Sequence, residues 1–262
     1  MLKLMYNLFQ KAVFSLKLDG LFRTFKKGYV VLAYHSVPRV ASWNYDVSIN
    51  CFEEHLKYLK DNYEIRDVSY IAECIKAKRR CQTIVCGVTF DDGYKNNYEV
   101  AYPLLLEHEV PATIFLPTNF ISNGEDRCLR GKLMLSWSEV KEMKENGLVN
   151  FGAHTHNHKD LTLLQPPEAL EEMRVSKTII EDKLNVETCL FAFPYGSFNE
   201  NVKELAKSCG FKAVFTGHAT VNPPTQDPYE IGRICIYKST QKLPYFAFKT
   251  CGLTDALSQL KH

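Results

Sequence analysis

The stretch IVCGVTFDDG (residues 84–93) joins a mostly apolar run to two adjacent carboxylates and a glycine. A continuous apolar run of this length, with its β-branched residues, is typical of a strand buried on both faces of a parallel sheet. Asp91 and Asp92 follow directly where that strand ends. Because ligands bind at the carboxyl ends of parallel strands, the stretch predicts both a fold class and the place of the chemistry.

Six more apolar runs repeat the strand pattern, at residues 29–34, 112–117, 148–153, 189–193, 211–216 and 231–236. Segments of helical periodicity lie between the runs, near 52–60, 69–78, 97–108, 137–146, 167–184 and 199–209. Strands that alternate with helices predict an α/β fold with a mostly parallel sheet. About seven such units favour a barrel, with an open sheet as the alternative.

Composition excludes one class of partner and suggests a compartment. The 262 residues include 32 basic and 30 acidic side chains, so no basic excess favours nucleic acid. The nine cysteines are odd in number and form no CxxC pair, which indicates free thiols in a reducing compartment. We therefore expect a cytoplasmic protein that does not bind nucleic acid.

Residues 1–28 form a separate N-terminal segment, followed by one domain over 29–262. The segment mixes large apolar residues with spaced lysines and lacks the unbroken apolar stretch of a signal peptide or a spanning helix. It predicts a basic amphipathic helix. Such a helix can pack on the domain's own surface or lie on a membrane surface, and both interpretations stay open.

A cluster of histidines follows the fourth apolar run. His154 and His158 are four residues apart and can converge on one cation if the chain turns helically there. His156 would point elsewhere, while Thr155 and Asp160 are candidates to fix the loop or a ligand ring. Capping or surface histidines are the alternative.

The two aspartates would do different jobs, because neighbouring side chains of an extended chain point in opposite directions. One could bind a metal while the other faces the attacking water; a solvated Asp-Gly turn is the alternative. A third motif, FPYG at residues 193–196, could direct the backbone N–H of Tyr195 into the site. One carboxylate and two imidazoles leave coordination positions open, which is typical of a catalytic metal and indicates hydrolysis of an amide or ester.

In this order, TFDDG, HTHNH and FPYG resemble the motifs of the polysaccharide deacetylases of the NodB-homology family (carbohydrate esterase family 4), over roughly residues 30–235. The resemblance implies a distorted (β/α) barrel of about seven strands. It further implies that Asp91 is the general base and that Asp92, His154 and His158 are the metal ligands. The backbone N–H of Tyr195 is implied to stabilise the tetrahedral oxyanion.

Two departures from the usual pattern resemble the branch of poly-N-acetylglucosamine deacetylases. Ala192 stands where the family's third motif has an arginine. The usual last motif, a leucine-rich strand with a histidine that acts as general acid, is absent after residue 236. The Tyr34-His35 strand end fits that branch, so His35 is the implied acid. Arg233 could orient Asp91 in place of the missing arginine; a surface ion pair is the alternative.

The expected function is metal-dependent removal of N-acetyl groups from an acetamido sugar, in a glycan or a lipid-linked glycan precursor on the inner side of the membrane. Zinc fits two imidazoles and a carboxylate best, although cobalt, nickel or manganese could occupy such a site. The alternatives are hydrolysis of another acyl or non-peptide C–N bond, and a catalytically silent sugar-binding relative.

Overall fold

The computed structural model describes residues 2–123 and 127–253. The predicted N-terminal segment begins at Met1 and the predicted domain ends at His262. Met1 and residues 254–262 lie outside the described residues. The strands are β1 (Gly28–Tyr34), β2 (Glu64–Ile65), β3 (Ile84–Phe90), β4 (Ala112–Leu116), β5 (Cys128–Leu129), β6 (Lys132–Leu133), β7 (Val149–Ala153), β8 (Leu190–Ala192), β9 (Ala213–Phe215) and β10 (Ile234–Cys235).

The main sheet follows the order β10-β1-β3-β4-β7-β8-β9, and every pairing along it is parallel. Each predicted apolar run contributes one strand to this path. The short β2 pairs with β3 beside it, and β5 and β6 form a separate antiparallel hairpin.

The two ends of the sheet are joined by the segment that contains β10. Ile231 pairs with Phe215 of β9, whereas Ile234 pairs with Leu32 of β1. One short segment therefore contacts both the last and the first strand, which curls the sheet into a distorted barrel. The predicted barrel is confirmed, and Arg233 lies in the segment that closes it.

The helices pack around this sheet: α1 (Leu2–Ser15), α2 (Leu18–Phe25), α3 (Ile49–Asn62), α4 (Val68–Lys76), α5 (Tyr102–Glu107), α6 (Trp137–Asn146), α7 (Pro166–Leu184), α8 (Glu200–Ser208) and α9 (Leu243–Thr250). Local sequence sets their ends. In α6, Ser136 and Glu139 form a capping box, and Gly147 stops the helix with a φ of 84°. The six predicted helical segments coincide with α3 to α8, whereas α9 and the β5–β6 hairpin were not predicted.

Side chains of each strand alternate between two buried layers. On β1, Val30 and Leu32 join the layer that includes α3 residues, whereas Val31 joins a layer with Phe115 and Phe215. The rings of Phe115 and Phe215 lie 5.3 Å apart although β4 and β9 are not neighbours. They therefore meet across the barrel interior, and burial on both faces explains the continuous apolar runs.

The N-terminal segment forms two helices rather than the single predicted one, because Lys17 adopts a left-handed conformation between α1 and α2. α1 packs on α9, where the rings of Tyr6 and Phe9 contact Phe248. α2 is fastened to α3 by its buried Asp19, which accepts from the Tyr58 hydroxyl at 2.5 Å. Among the described residues, no helix has the length and apolar character needed to cross a bilayer.

The buried His55 contacts both the first strand and the segment that follows the barrel. The His55 ring stacks on Phe246 at 3.8 Å, and its Nε2 lies 2.6 Å from the Gln241 carbonyl oxygen. Since a carbonyl can only accept, Nε2 carries the proton, and Nδ1 accepts from the Tyr34 hydroxyl at 3.0 Å. The ring is therefore held neutral, and burial lowers the pKa of His55 to about 4.

This arrangement predicts a pH-dependent stability. The unfolded chain protonates His55 near its ordinary pKa of about 6.5, before the folded chain does. The free energy of unfolding should thus fall by up to about 1.4 kcal/mol per pH unit as pH drops from about 6.5 toward 4. Urea denaturation at pH 7 and 5 measures this slope. In His55→Gln, which can still donate and accept, the slope should be shallower; equal slopes would contradict the prediction.

Candidate active site

The end of β3 separates the two aspartates. The backbone N–H of Asp91 still bonds to the Tyr34 carbonyl of β1, so Asp91 continues the sheet. Asp92 then takes a φ of 73°, and Gly93 follows at 68°. Gly93 has no room for a side chain, since an added Cβ would lie 2.8 Å from Leu116. The turn directs the Asp91 and Asp92 carboxylates to different partners.

Asp91 is held by Arg233 from the closing segment. Both guanidinium nitrogens reach the carboxylate, Nη1 at 2.7 Å and Nη2 at 2.8 Å, and both side chains are buried. Arg233 is itself fixed by the Thr216 carbonyl and the Thr89 hydroxyl, each at 3.3 Å. Burial alone would raise the pKa of the Asp91 carboxyl, but Arg233, His154 and His35 more than offset it, and the pKa lies below its usual value.

Asp92 faces the two histidines that the spacing singled out. Its Oδ1 lies 2.9 Å from Nε2 of His158 and 3.6 Å from Nε2 of His154. His154 donates from Nδ1 to the Ala192 carbonyl at 2.7 Å, which fixes its tautomer and leaves the Nε2 lone pair directed at Asp92. Burial lowers the pKa of His154 to about 4, so the ring stays neutral near pH 7.

These three side chains fit a metal ion. One ligand atom from each lies within 4.8 Å of the other two, and all three residues are buried. The contact between His158 and Asp92 lacks hydrogen-bond geometry, and within the described part of the chain neither Asp92 oxygen accepts a hydrogen bond. A buried carboxylate without donors costs free energy unless a cation compensates it. The donor set therefore suits a divalent ion with open coordination positions.

The backbone around these groups is strained. Asp92, Thr155, His158 and Tyr195 all have a positive φ, between 55° and 73°, although none is glycine. Such conformations cost about 1–3 kcal/mol each and persist where function requires them.

His35 is a further neighbour of Asp91. Its Nε2 is 4.0 Å from Asp91 Oδ2, and its ring packs on Tyr45 at 4.6 Å. Nδ1 is buried and has no partner in the part of the chain that is described, while the His35 carbonyl accepts from Asn97 at 2.8 Å. Burial lowers the pKa of His35, although Asp92 and Asp91 oppose this.

The FPYG motif forms a tight turn beside the histidines. Tyr195 has a φ of 61°, and its largely exposed ring contacts the His158 ring at 5.0 Å. Gly196 lies against the backbone of Gly217, where an added Cβ would come within 2.4 Å. This close approach holds the turn in place and brings Tyr195 to the rim of the site.

The remaining predicted residues lie outside the cluster. His156 bonds through Nδ1 to the Thr118 hydroxyl at 2.9 Å and points away from the site, as expected of a bystander. Asp160 caps a short helical turn by accepting from the Thr162 N–H at 3.0 Å, so it fixes the loop rather than a ligand ring. The Thr155 hydroxyl is buried without a partner among the described residues.

Sequence reasoning missed one wall of the site. A cavity of about 280 Å³ opens over Asp91 and the histidines, and further side chains line it: Trp43, Tyr45, Arg130 and Tyr237. Trp43 and Tyr45 belong to the loop after β1, with ring centroids 4.8 Å apart, and Tyr237 contacts Tyr45 at 5.2 Å. The aromatic residues Trp43 and Tyr45, in the loop that follows the predicted strand at 29–34, are the signal that could have found this wall.

Comparisons with known proteins identify the family of this chain. A family model described as polysaccharide deacetylase matches residues 78–214. Over 205 residues, covering 74% of this chain and 68% of the relative, the sequence is 30% identical to a poly-β-1,6-N-acetyl-D-glucosamine N-deacetylase of Staphylococcus aureus (strain MRSA252).

Solved structures give the same result. IcaB from Ammonifex degensii is similar with a TM-score of 0.77 and 28% identity, over 87% of this chain and 98% of that one. The Streptococcus pyogenes deacetylase PplD, solved with acetate, has a TM-score of 0.75 and 25% identity, over 86% and 98% of the two chains. The chain therefore belongs to the polysaccharide deacetylase family and is a carbohydrate deacetylase on the branch related to the poly-N-acetylglucosamine enzymes.

Proposed function

We propose that this enzyme is a metal-dependent N-deacetylase of an acetamido sugar, in a glycan or a lipid-linked glycan precursor. The observation that carries the proposal is the pairing of an oriented carboxylate, Asp91 on Arg233, with the Asp92, His154 and His158 set in one cavity. Zinc is the favoured ion, with cobalt, nickel and manganese as alternatives.

In this mechanism a divalent ion held by Asp92, His154 and His158 would polarise the amide carbonyl and acidify the attacking water. Asp91, kept ionised by Arg233, accepts the water proton. The backbone N–H of Tyr195 donates to the oxyanion that develops on the carbonyl oxygen. His35, whose Nε2 lies 4.0 Å from Asp91, donates a proton to the leaving nitrogen.

The test is acetate release from N-acetyl, O-acetyl and cyclic-amide substrates by metal-loaded and chelator-treated protein. We expect release from N-acetylated sugars, loss with chelator and recovery with zinc or cobalt. Release from the other substrates alone would favour hydrolysis of another bond. Inactivity on every substrate with the metal bound would favour a silent sugar-binding relative.

His35→Ala is expected to slow deacetylation by about 10²–10⁴-fold, the usual effect of losing a general acid. Metal content should stay unchanged, because His35 contacts Asp91 at 4.0 Å and is not among the three candidate ligands. Rates and metal analysis of the purified variant measure both effects. A variant within a few-fold of the wild type would contradict the role of His35 as the general acid.

We further propose that the enzyme works in the cytoplasm, at the inner face of the membrane. The nine cysteines are free, which suits a reducing compartment. α1, α2 and the turn between them expose several large apolar side chains: Met5, Leu8, Phe9, Leu16, Leu21 and Phe25. Lysines on the same segment, such as Lys11 and Lys17, would attract an anionic leaflet by about 1 kcal/mol each.

Replacing Leu8 and Phe25 together by glutamate should weaken binding to anionic liposomes at least about 10-fold, since each buried apolar side chain contributes about 1.5–3 kcal/mol. Sedimentation at low and high salt measures this, and salt should weaken wild-type binding as well. Leu163→Glu is the matched control, because Leu163 is 81% exposed on another element. Equal sedimentation of all three proteins would contradict membrane contact.

A further inference from the structure

The β5–β6 hairpin places a guanidinium over the candidate metal site. Arg130 and Gly131 form its two-residue turn, with φ of 54° and 74°, a left-handed pair typical of tight hairpins. The turn brings Nη1 of Arg130 to 3.6 Å from Oδ2 of Asp92. Arg130 lines the same cavity as Asp91 and His35.

A buried carboxylate holds this hairpin against the aromatic wall of the cavity, which consists of Trp43, Tyr45 and Tyr237. Asp46 accepts from Nζ of Lys132 at 2.8 Å and from the backbone N–H groups of Ser42 and Trp43 at 2.9 and 2.8 Å. The hairpin and the loop that carries Trp43 are therefore fastened together. Asp46 and Lys132 also neutralise each other, so Lys132 adds little net charge to the cavity.

The charge of Arg130 is less closely compensated than that of Lys132, because Arg130 lies 3.6 Å from its carboxylate partner and Lys132 lies 2.8 Å from Asp46. Its guanidinium lies between the rings of Trp43 and Tyr195, at 5.8 and 5.3 Å. Among the described residues, Asp92 is the carboxylate that pairs with it, and Asp92 is also a candidate metal ligand. The Asp91 carboxylate is already held by Arg233. With a divalent ion bound, the positive charges of the cavity would outnumber its two carboxylates.

We propose that Arg130 binds an anionic substituent, a phosphate or a carboxylate, on the sugar whose acetamido group is hydrolysed. This inference rests on the proposed function and names the substrate class of that site. A guanidinium presents a planar pair of donors that matches phosphate and carboxylate oxygens. Trp43 and Tyr45 provide rings on which the face of the sugar packs, beside the guanidinium. The site thus selects an acetamido sugar that carries a negative charge close to the acetamido group.

Binding without turnover tests the proposal directly. The background is zinc-loaded Asp91→Asn, and the probes are methyl N-acetylglucosaminide, N-acetylglucosamine 1-phosphate and N-acetylmuramic acid. Calorimetry should show tighter binding of at least one anionic sugar than of the neutral glycoside, and the preference should shrink with added salt. The two anionic probes distinguish a phosphate from a carboxylate as the group recognised.

Adding Arg130→Met should weaken binding of the preferred anionic sugar by about 10- to 100-fold, the usual effect of losing a hydrogen bond to a charged group. Binding of the neutral glycoside should change by less than about threefold, and zinc content should stay the same. Arg130→Lys keeps the charge without the planar fork and should retain part of the preference, which covers the case in which Arg130→Met does not fold. Arg174→Met, on the exposed surface of α7, is the matched control and should change nothing.

The outcomes separate this inference from the proposed function. No anionic preference, or an equal loss for all three probes in Arg130→Met, would overturn the role of Arg130. A fall in zinc content would instead mean that Arg130 supports the candidate metal ligand Asp92. That result would also overturn the role of Arg130 in binding the anion. If the unmodified enzyme releases acetate from none of the sugars while the binding preference holds, the proposed function fails and the anion site stands.

Discussion

Asp91→Asn is expected to keep its divalent metal and to lose deacetylation by about 10²–10⁴-fold. The amide has the size of the carboxylate but cannot accept the proton of the attacking water. The candidate metal ligands, Asp92, His154 and His158, are not altered, because Asp91 contacts Arg233 instead. Acetate release and metal analysis on the same preparation measure the two effects.

Asp92→Asn makes the same chemical change at the neighbouring residue, so it is the matched variant for Asp91→Asn. It removes the anionic ligand of the set, so metal content should fall well below about one ion per chain, and activity should fall with it. Excess zinc should restore part of the activity of Asp92→Asn and none of that of Asp91→Asn. If both variants keep the metal, or both lose it, the separate roles of the two carboxylates are wrong.

The sequence predicted the barrel because its strands are buried on both faces. Runs such as 84–90 and 112–117 carry no alternation, and each is followed by a helix, which is the pattern of a parallel sheet with helices outside. The polar residues that follow those runs then had to meet at one edge. Asp92, His154 and His158 do meet there, but not through the helical turn that the spacing of the two histidines required. Thr155 and His158 adopt a positive φ in a non-helical loop instead.

The missed elements are those with little local signal. β5 and β6 contain two residues each, so no periodicity can identify them, and α9 is rich in aromatic residues without a polar face in sequence. Arg130 and the aromatic wall depend on these pieces and on the irregular loop after β1. Their position is set by tertiary contacts such as the pair between Asp46 and Lys132, 86 residues apart.

Arg233 shows where sequence reasoning left two alternatives open. A surface ion pair and an orienting partner for Asp91 both fitted the pattern, because Arg233 and Asp91 are 142 residues apart. The two residues meet only because the segment at 231–235 contacts both β9 and β1. The structure places Arg233 at 1% exposure with both nitrogens on Asp91, so the pair is buried.

Because the pair between Arg233 and Asp91 is buried, Arg233→Met should have a large effect on stability. Breaking a buried ion pair at one partner leaves the other charge uncompensated, so the free energy of unfolding should fall by about 3–5 kcal/mol at pH 7. Activity should fall as well, because the pKa of Asp91 would rise and the carboxylate would lose its orientation. Arg174→Met, which breaks an exposed pair with Glu171, should cost no more than about 1 kcal/mol.

The pH dependence of that loss distinguishes a buried charge from a simple cavity. In the wild type Arg233 keeps the pKa of Asp91 low, so the stabilisation from this pair is present at neutral pH and is lost as pH falls. In Arg233→Met the pKa of Asp91 is raised instead, so the carboxyl is already protonated at pH 4 and no longer leaves an uncompensated charge buried. The difference in unfolding free energy between the two proteins should therefore shrink from pH 7 to pH 4. A difference that stays constant across that range would mean that lost packing, and not the charge on Asp91, sets the cost.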